Sequence, residues 1–103
     1  MNLVLIISTY PNKKSILKIA HDLVATKIIA CVNISKIDSV YSWNDKIQNS
    51  AEYIAIFKTI TKNKSKLKKK IAETHPYDVP EIAEIDVTSI NKSYLNWLIE
   101  STN

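Results

Sequence analysis

The chain has 103 residues, 46% of them hydrophobic, and its 14 basic and 10 acidic side chains give a net charge of +4. This length accommodates one domain, expected to span residues 1–103, and the longest wholly apolar run, residues 3–7, is far too short for a membrane span. The absence of glycine excludes the phosphate-binding loops that depend on it, and the single cysteine excludes an intramolecular disulfide.

The basic residues are all lysines, which limits the classes of partner. Arginine is the usual residue for bidentate recognition of phosphates and bases, so a basic balance without arginine is a weak signal for nucleic-acid binding. The start of the chain also lacks the basic segment and the small-residue cleavage site of a secretory signal. We therefore expect a cytoplasmic protein with no membrane partner and with nucleic acid as a disfavoured partner.

Apolar periodicity and turn residues divide the chain into seven predicted elements. Residues 3–7 are apolar on both parities, which predicts a buried strand, and Asn12 is predicted to cap the following helix. Asn44-Asp45 is the predicted turn of one long hairpin, and the two prolines in residues 75–80 exclude a helix there. In chain order the predicted elements are strand 2–10, helix 12–27, strand 29–43, strand 46–60, helix 61–74, strand 81–88 and helix 91–101.

The second predicted strand changes its apolar phase. Val32 and Ile34 share one parity, whereas Ile37 and Tyr41 share the other. Because one extra residue in a strand shifts the phase of all that follow, we expect a bulge at Ser35-Lys36.

The order of the elements, β-α-β-β-α-β-α, predicts the fold class. Its first six members match the ferredoxin-like βαββαβ sandwich, an α+β fold, and the seventh is an extra C-terminal helix. Right-handed crossovers would place the first two helices on one face of a four-stranded antiparallel sheet, with the first and third strands in its centre.

The two central strands indicate that the chain associates with copies of itself. A sheet covered by helices on one face should alternate apolar and polar residues, but residues 3–7 and 53–57 do not. An uncovered apolar face is unusual on a monomer, so we expect another copy to cover it, with closed cyclic symmetry. The alternative is that the last helix wraps beneath the sheet.

Two residues are candidate metal ligands. Cys31 carries the only thiol, a soft ligand for an ion such as copper, although a lone buried cysteine is most often a small hydrophobe. His75 stands at a predicted helix end, where an imidazole either binds metal or is favoured by the helix dipole. One thiolate is not a site, so Cys31 needs a partner ligand from elsewhere in the fold or from a neighbouring subunit.

Charged and aromatic residues are candidates for a cleft or an interface. Glu52 and Lys58 lie at even spacing on the third strand, and an ordinary structural ion pair is the simpler interpretation of each. Tyr41, Trp43 and Tyr77 either line a cleft or anchor an interface.

Neither catalysis nor nucleic-acid binding has a recognisable motif. Ser8, Ser39 and Ser42 lie near neither histidine in the sequence, so no nucleophile–base motif is visible and we expect a protein that is not an enzyme. The four lysines within residues 66–70 are typical of a solvated helix face, and no stacking aromatic accompanies them.

Short blocks along nearly the whole chain carry a family resemblance. They are Ala30-Cys-Val-Asn-Ile34, Ser39-Val-Tyr-Ser-Trp43, Glu52, Lys58-Thr59, His75-Pro-Tyr77, Pro80-Glu-Ile82 and Tyr94-Leu-x-Trp97. In this order and spacing the chain closely resembles the CutA divalent-cation tolerance family. It departs from the family at Ser8 and Thr74, where some members carry cysteine and histidine.

The resemblance implies a tight homotrimer similar to the PII signalling proteins, located in the cytoplasm. It implies a role in tolerance to divalent metals, copper above all, with Cys31 and His75 as candidate ligands. It also implies a cluster of cleft or interface residues near the subunit boundary, comprising Tyr41, Trp43, Glu52, Lys58, Tyr77 and Trp97.

The sequence therefore predicts a non-enzymatic trimer that binds divalent metal ions and requires no resident cofactor, with Cu²⁺ or another divalent cation as its ligand. The alternative is a PII-like signalling or interaction scaffold, in which clefts between subunits bind a small anionic ligand or a protein. The expected position of Lys58 beside Tyr41 and Trp43 motivates this alternative.

Overall fold

The computed structural model describes residues 2–103, and its strands and helices follow the predicted order. They are β1 (Leu3–Tyr10), α1 (Lys13–Ala25), β2 (Cys31–Trp43), β3 (Lys46–Ile60), α2 (Lys64–Thr74), β4 (Ala83–Asp86) and α3 (Lys92–Glu100). A 3-10 turn over Thr61–Asn63 begins the segment predicted as the second helix. Within residues 2–103, none of the helices has the length and apolar character needed to cross a lipid bilayer.

The four strands form one antiparallel sheet in the order β2-β3-β1-β4, which confirms the ferredoxin-like arrangement with β1 and β3 in the centre. The long hairpin of β2 and β3 is also confirmed. It turns at Asn44 and Asp45, whose φ angles are 51° and 61°. Asn and Asp tolerate this left-handed region better than other non-glycine residues, so a tight two-residue turn forms without glycine.

Helices α1 and α2 cover one face of the sheet. Their apolar residues recur at helical spacing and meet alternate residues of the two central strands. The fully buried members of this core are Val4, Ile6, Tyr10, Ile16, Leu23, Ile29, Ala55, Phe57, Leu67 and Ile71. Asn12 caps α1 as predicted, because its side-chain oxygen accepts a hydrogen bond of 2.8 Å from the Ser15 backbone N–H.

Helix α3 covers only one end of the opposite face. Leu98 packs there against Leu3 and Ile60 in a second, smaller core. Farther along the same face, Ile7, Ile54 and Ile56 are partly buried and belong to neither core, and Ile7 and Ile56 are direct pairing partners. We refer to these three residues as the isoleucine strip. The last helix therefore leaves the middle of this face open.

The predicted bulge at Ser35-Lys36 is wrong. The pairing of β2 with β3 runs without interruption from Cys31↔Lys58 to Trp43↔Lys46. The apolar residues change sides of the sheet instead, because Ile34 faces α1 and α2 whereas Ile37 lies on the opposite face. One periodic strand thus carries apolar residues first for one face and then for the other.

Strand β4 is shorter than predicted, with four residues, Ala83–Asp86, in place of residues 81–88. Its pairing with β1 ends at Ile7↔Ala83. Beyond that point the carbonyl oxygen of Thr9 accepts a hydrogen bond of 3.0 Å from Nε2 of His75. The histidine side chain therefore satisfies a backbone group that a longer strand would have paired.

Candidate functional site

His75 follows α2 directly, and contacts surround its ring. Its Nε2 lies 3.0 Å from both the Ser8 hydroxyl and the Thr9 carbonyl oxygen, and its Nδ1 accepts a hydrogen bond of 3.1 Å from the Tyr77 backbone N–H. The ring also stacks on Tyr10, with centroids 4.1 Å apart. Sequence reasoning missed Ser8 and Tyr10 as partners because they lie far from His75 in the chain.

These contacts determine which nitrogen of His75 carries the proton. A carbonyl oxygen only accepts, so Nε2 holds the proton and donates it to Thr9, while Nδ1 is unprotonated. Burial lowers the pKa of His75 below its ordinary value of 6.5, and the hydrogen bond to Thr9 offsets part of this effect. The contact with Ser8 is consequently not a nucleophile–base pair, because Nε2 has no free lone pair and Ser8 is fully buried.

The lowered pKa of His75 makes the stability of the protein depend on pH. At pH values between the lowered pKa of the folded state and about 6.5, the unfolded chain binds a proton at His75 that the folded chain does not bind. The stabilising contribution is therefore complete above about pH 6.5 and is lost as the pH falls toward the native pKa. Thermal unfolding should therefore show a Tm that declines as the pH falls through this range. His75→Gln should remove the decline, whereas His21→Gln, at an exposed site on α1, should leave it in place.

Glu84 produces a separate effect at lower pH. Hydrogen bonds from Lys68 and Lys64, at 2.7 and 3.0 Å, lower the pKa of Glu84 from 4.5 to about 2. The contribution of Glu84 to stability persists down to about pH 4.5 and disappears toward pH 2. The losses of stability due to His75 and to Glu84 therefore occur in different pH ranges. A decline near pH 6 that persists in His75→Gln would contradict the assignment to His75.

Cys31 is partly buried at the start of β2, and its side chain lies on the sheet face opposite α1 and α2. His75 lies on the other side of the sheet, since its ring stacks on Tyr10, a member of the core beneath those helices. The two predicted ligands therefore do not meet within one chain. Among residues 2–103, moreover, no three His, Cys, Asp or Glu side chains are grouped so that they could hold a metal ion.

Four of the predicted residues do come together, around a cleft of about 440 Å³. Tyr41 and Trp43 enter it from β2, and Tyr77 enters it from the proline-bounded segment after His75. Glu52 reaches it from β3, on the same sheet face as the isoleucine strip. The hydrogen bond from His75 to Thr9 and the contact with Tyr77 hold this segment across the end of β1.

The charges around the cleft are negative. Glu52 accepts a hydrogen bond of 2.7 Å from the Tyr77 hydroxyl, and Asp78 and Glu81 are further lining residues. Burial and the adjacent Glu52 carboxylate raise the pKa of Tyr77, so its hydroxyl stays protonated and donates. Sequence reasoning gave Asp78 and Glu81 no role, although both lie in the same quoted segment as Tyr77.

Lys58 and Trp97 lie in a different place. The Lys58 ammonium is 3.5 Å from the Tyr94 hydroxyl and 5.6 Å from the centre of its ring, and Tyr94 contacts Trp97 with ring centroids 5.4 Å apart. Ten positions of β3 separate Lys58 from Gln48, the pairing partner of Tyr41, which is about 33 Å along an extended strand.

The expected position of Lys58 beside Tyr41 and Trp43 is therefore wrong for a single chain. The simpler interpretation of Glu52 and Lys58 as members of ion pairs is also wrong within residues 2–103, because each has a tyrosine hydroxyl as its partner. The cleft of one chain thus lacks the cation on which the idea of an anionic ligand depended.

Comparison with known proteins gives a consistent result over nearly the whole chain. The family described as "CutA1 divalent ion tolerance protein" matches residues 4–101. The "Divalent-cation tolerance protein CutA" of Pyrococcus horikoshii is 40% identical over 97% of this chain and 98% of its own length.

Solved structures agree with this match. The crystal structure of the divalent ion tolerance protein CutA1 from Ehrlichia chaffeensis has a TM-score of 0.94 and 38% identity, and covers 99% of this chain and 96% of its own. A structure from Archaeoglobus fulgidus, named as a periplasmic divalent cation tolerance protein CutA, has a TM-score of 0.89 and 30% identity, with coverage of 96% and 97%.

Proposed function

Since the chain belongs to the CutA1 divalent ion tolerance family, we propose that it binds divalent metal ions, copper above all, as a homotrimer that acts in metal tolerance. The observation that carries this proposal is the position of Cys31. Its thiol, the softest ligand in the chain, lies partly buried on the sheet face that α3 covers at one end only.

The metal site would draw its ligands from more than one copy of the chain. Cys31 and His75 lie on opposite faces of one sheet, and residues 2–103 of one chain contain no complete group of ligands. Assembly would bring residues of neighbouring copies together on the sheet face that α3 covers only in part, and Cys31 lies on that face. Burial of the isoleucine strip favours that assembly by roughly 25 cal/mol per Å² of apolar surface removed from water.

His75 would bind a metal ion only after a local change. Both of its ring nitrogens already take part in hydrogen bonds, and Nδ1 would have to release the Tyr77 backbone N–H to offer its lone pair. Cys31 is therefore the stronger ligand of the two. His75 would bind a metal ion only if the segment carrying Tyr77 moved away from its ring.

The test is a copper titration by calorimetry under anaerobic conditions. Cys31→Ser is expected to lower the affinity by about tenfold or more, because a serine hydroxyl is a much poorer ligand for copper than a thiolate. Asn33→Ser is the matched control, since it lies on the same face two residues along β2 and is exposed. Acidic buffer should also weaken binding, because protons compete for the thiolate. Equal affinity in the unmodified protein and Cys31→Ser would refute the role of Cys31.

The cleft favours a second candidate function, that of a PII-like scaffold which binds a ligand or a protein. Its volume of about 440 Å³ lies within the range of small-molecule sites. Both candidate functions are non-enzymatic. We further propose a cytoplasmic location, which fractionation of cells that produce the tagged protein would test.

A further inference from the structure

The cleft is separate from the proposed metal site and has a different composition. Cys31 and His75 are not among its lining residues, and the chain as a whole is basic, yet the lining includes three carboxylates and no lysine. We propose that this cleft binds an organic ammonium ion, with the charged nitrogen against aromatic rings and its charge balanced by the carboxylates. This inference goes beyond metal binding and does not depend on it.

The aromatic wall provides the first argument. Tyr41 and Trp43 are two positions apart on β2, so their side chains share one face of the sheet. In a single chain they are 43% and 59% exposed, so both rings are accessible to a ligand in the cleft. Aromatic faces attract an alkylammonium group through the negative face of the ring while they also bury its methyl groups.

The carboxylates provide the second argument. None of the ion pairs formed within residues 2–103 involves Glu52, Asp78 or Glu81. The Tyr77 hydroxyl orients Glu52 without neutralising it, since a phenol donates a hydrogen bond and keeps its own proton. Their negative potential therefore favours a cation and disfavours an anion at this cleft.

Size distinguishes an organic cation from a metal ion. In the described part of the chain these carboxylates are not grouped closely enough to coordinate one metal ion. A cleft of about 440 Å³ instead accommodates a cation of several heavy atoms, whose diffuse charge can be balanced by carboxylates at a distance. Lys58 of a second copy is another source of an ammonium group, because Lys58 has no carboxylate partner within residues 2–103.

Choline, its uncharged isostere 3,3-dimethylbutan-1-ol and inorganic phosphate are suitable probes. The full chain is titrated with each by calorimetry, and tryptophan fluorescence is followed in parallel. We expect choline to bind at one site per chain, with the isostere about tenfold weaker or more and phosphate without effect. Equal binding of choline and the isostere, or binding of phosphate alone, would overturn the proposal.

Substitutions locate the bound choline in the cleft. Trp43→Leu is expected to weaken choline binding by about tenfold and to abolish the fluorescence change, and Glu81→Gln by about threefold. Glu100→Gln, an exposed carboxylate at the end of α3, removes the same charge outside the cleft and should leave the affinity unchanged. Circular dichroism would verify that each variant is folded, and unaltered affinity in folded Trp43→Leu would refute the site.

A variant of Lys58 separates the two sources of the ammonium group. If choline binds only after Lys58→Ala, a second copy of the chain already supplies the cation, and the proposal of a free ligand is overturned. The copper titration is independent of this result, because Cys31 does not line the cleft. Failure of one experiment would therefore leave the other interpretable.

Discussion

Replacing Ile56 with aspartate is expected to convert the assembled protein into separate folded chains. Ile56 lies on the open sheet face, paired with Ile7, and a second copy would bury it. Burial of an unpaired carboxylate in an interface costs several kcal/mol, whereas on a single chain this partly exposed position keeps the group in contact with water. Sedimentation velocity at micromolar concentration should change from the mass of three chains to the mass of one.

Val24→Asp is the matched control for this substitution. Val24 is 44% exposed on α1, outside the sheet, so the same added charge should leave the mass unchanged. Ile54→Thr offers a milder change within the isoleucine strip, because it introduces a hydroxyl and no charge. A single-chain mass for the unmodified, well-folded protein would contradict the proposed assembly, as would a three-chain mass for folded Ile56→Asp.

Loss of assembly should also reduce metal binding. If the ligands come from more than one copy, Ile56→Asp weakens copper binding although Cys31 and His75 are unchanged. Retention of full copper affinity by the single chain would show that one chain suffices, and it would contradict a site shared between copies.

His75→Ala is expected to lower the free energy of unfolding by roughly 2–3 kcal/mol in the absence of metal. The substitution removes the ring that stacks on Tyr10 and the donor to the Thr9 carbonyl, and it leaves the buried Ser8 hydroxyl without its partner. The segment that carries Tyr77 would lose its attachment to β1. Urea unfolding in the presence of a chelator measures the change.

His21→Ala provides the comparison, because His21 is exposed in the middle of α1. Its effect should remain below about 0.5 kcal/mol, as is usual for surface substitutions. Equal stability of His75→Ala and the unmodified protein would contradict a structural role for His75. The chelator separates this role from metal coordination, which contributes only when the ion is present.

The fold was largely predictable because its signals are local. Apolar periodicity separates strands from helices within a few residues, and Asn44 and Asp45 mark the hairpin turn by their own backbone preferences. The misplaced bulge illustrates the limit of such signals. A change of apolar phase from Ile34 to Ile37 is compatible with an inserted residue or with a change of the covered face, and only the strand pairing distinguishes them.

The candidate site was predictable in part. One cleft does contain Tyr41, Trp43, Glu52 and Tyr77. Lys58 does not join them, because it lies too far along the fifteen-residue strand β3, although its side chain is on the same sheet face. The contact between Ser8 and His75 had no local signal, since it depends on how the segment after α2 crosses the end of β1.

The amino-acid sequence by itself determined the order and type of the elements, the apolar excess of the central strands and the family, because each of these follows from residue spacing along the chain. The tertiary structure alone decided which side chains meet. Contacts between residues distant in the chain depend on strand order, register and sheet face, so Cys31 and His75 are separated while Glu52 and Tyr77 are joined. For the same reason, only the packing of α3 revealed that part of the second sheet face stays open.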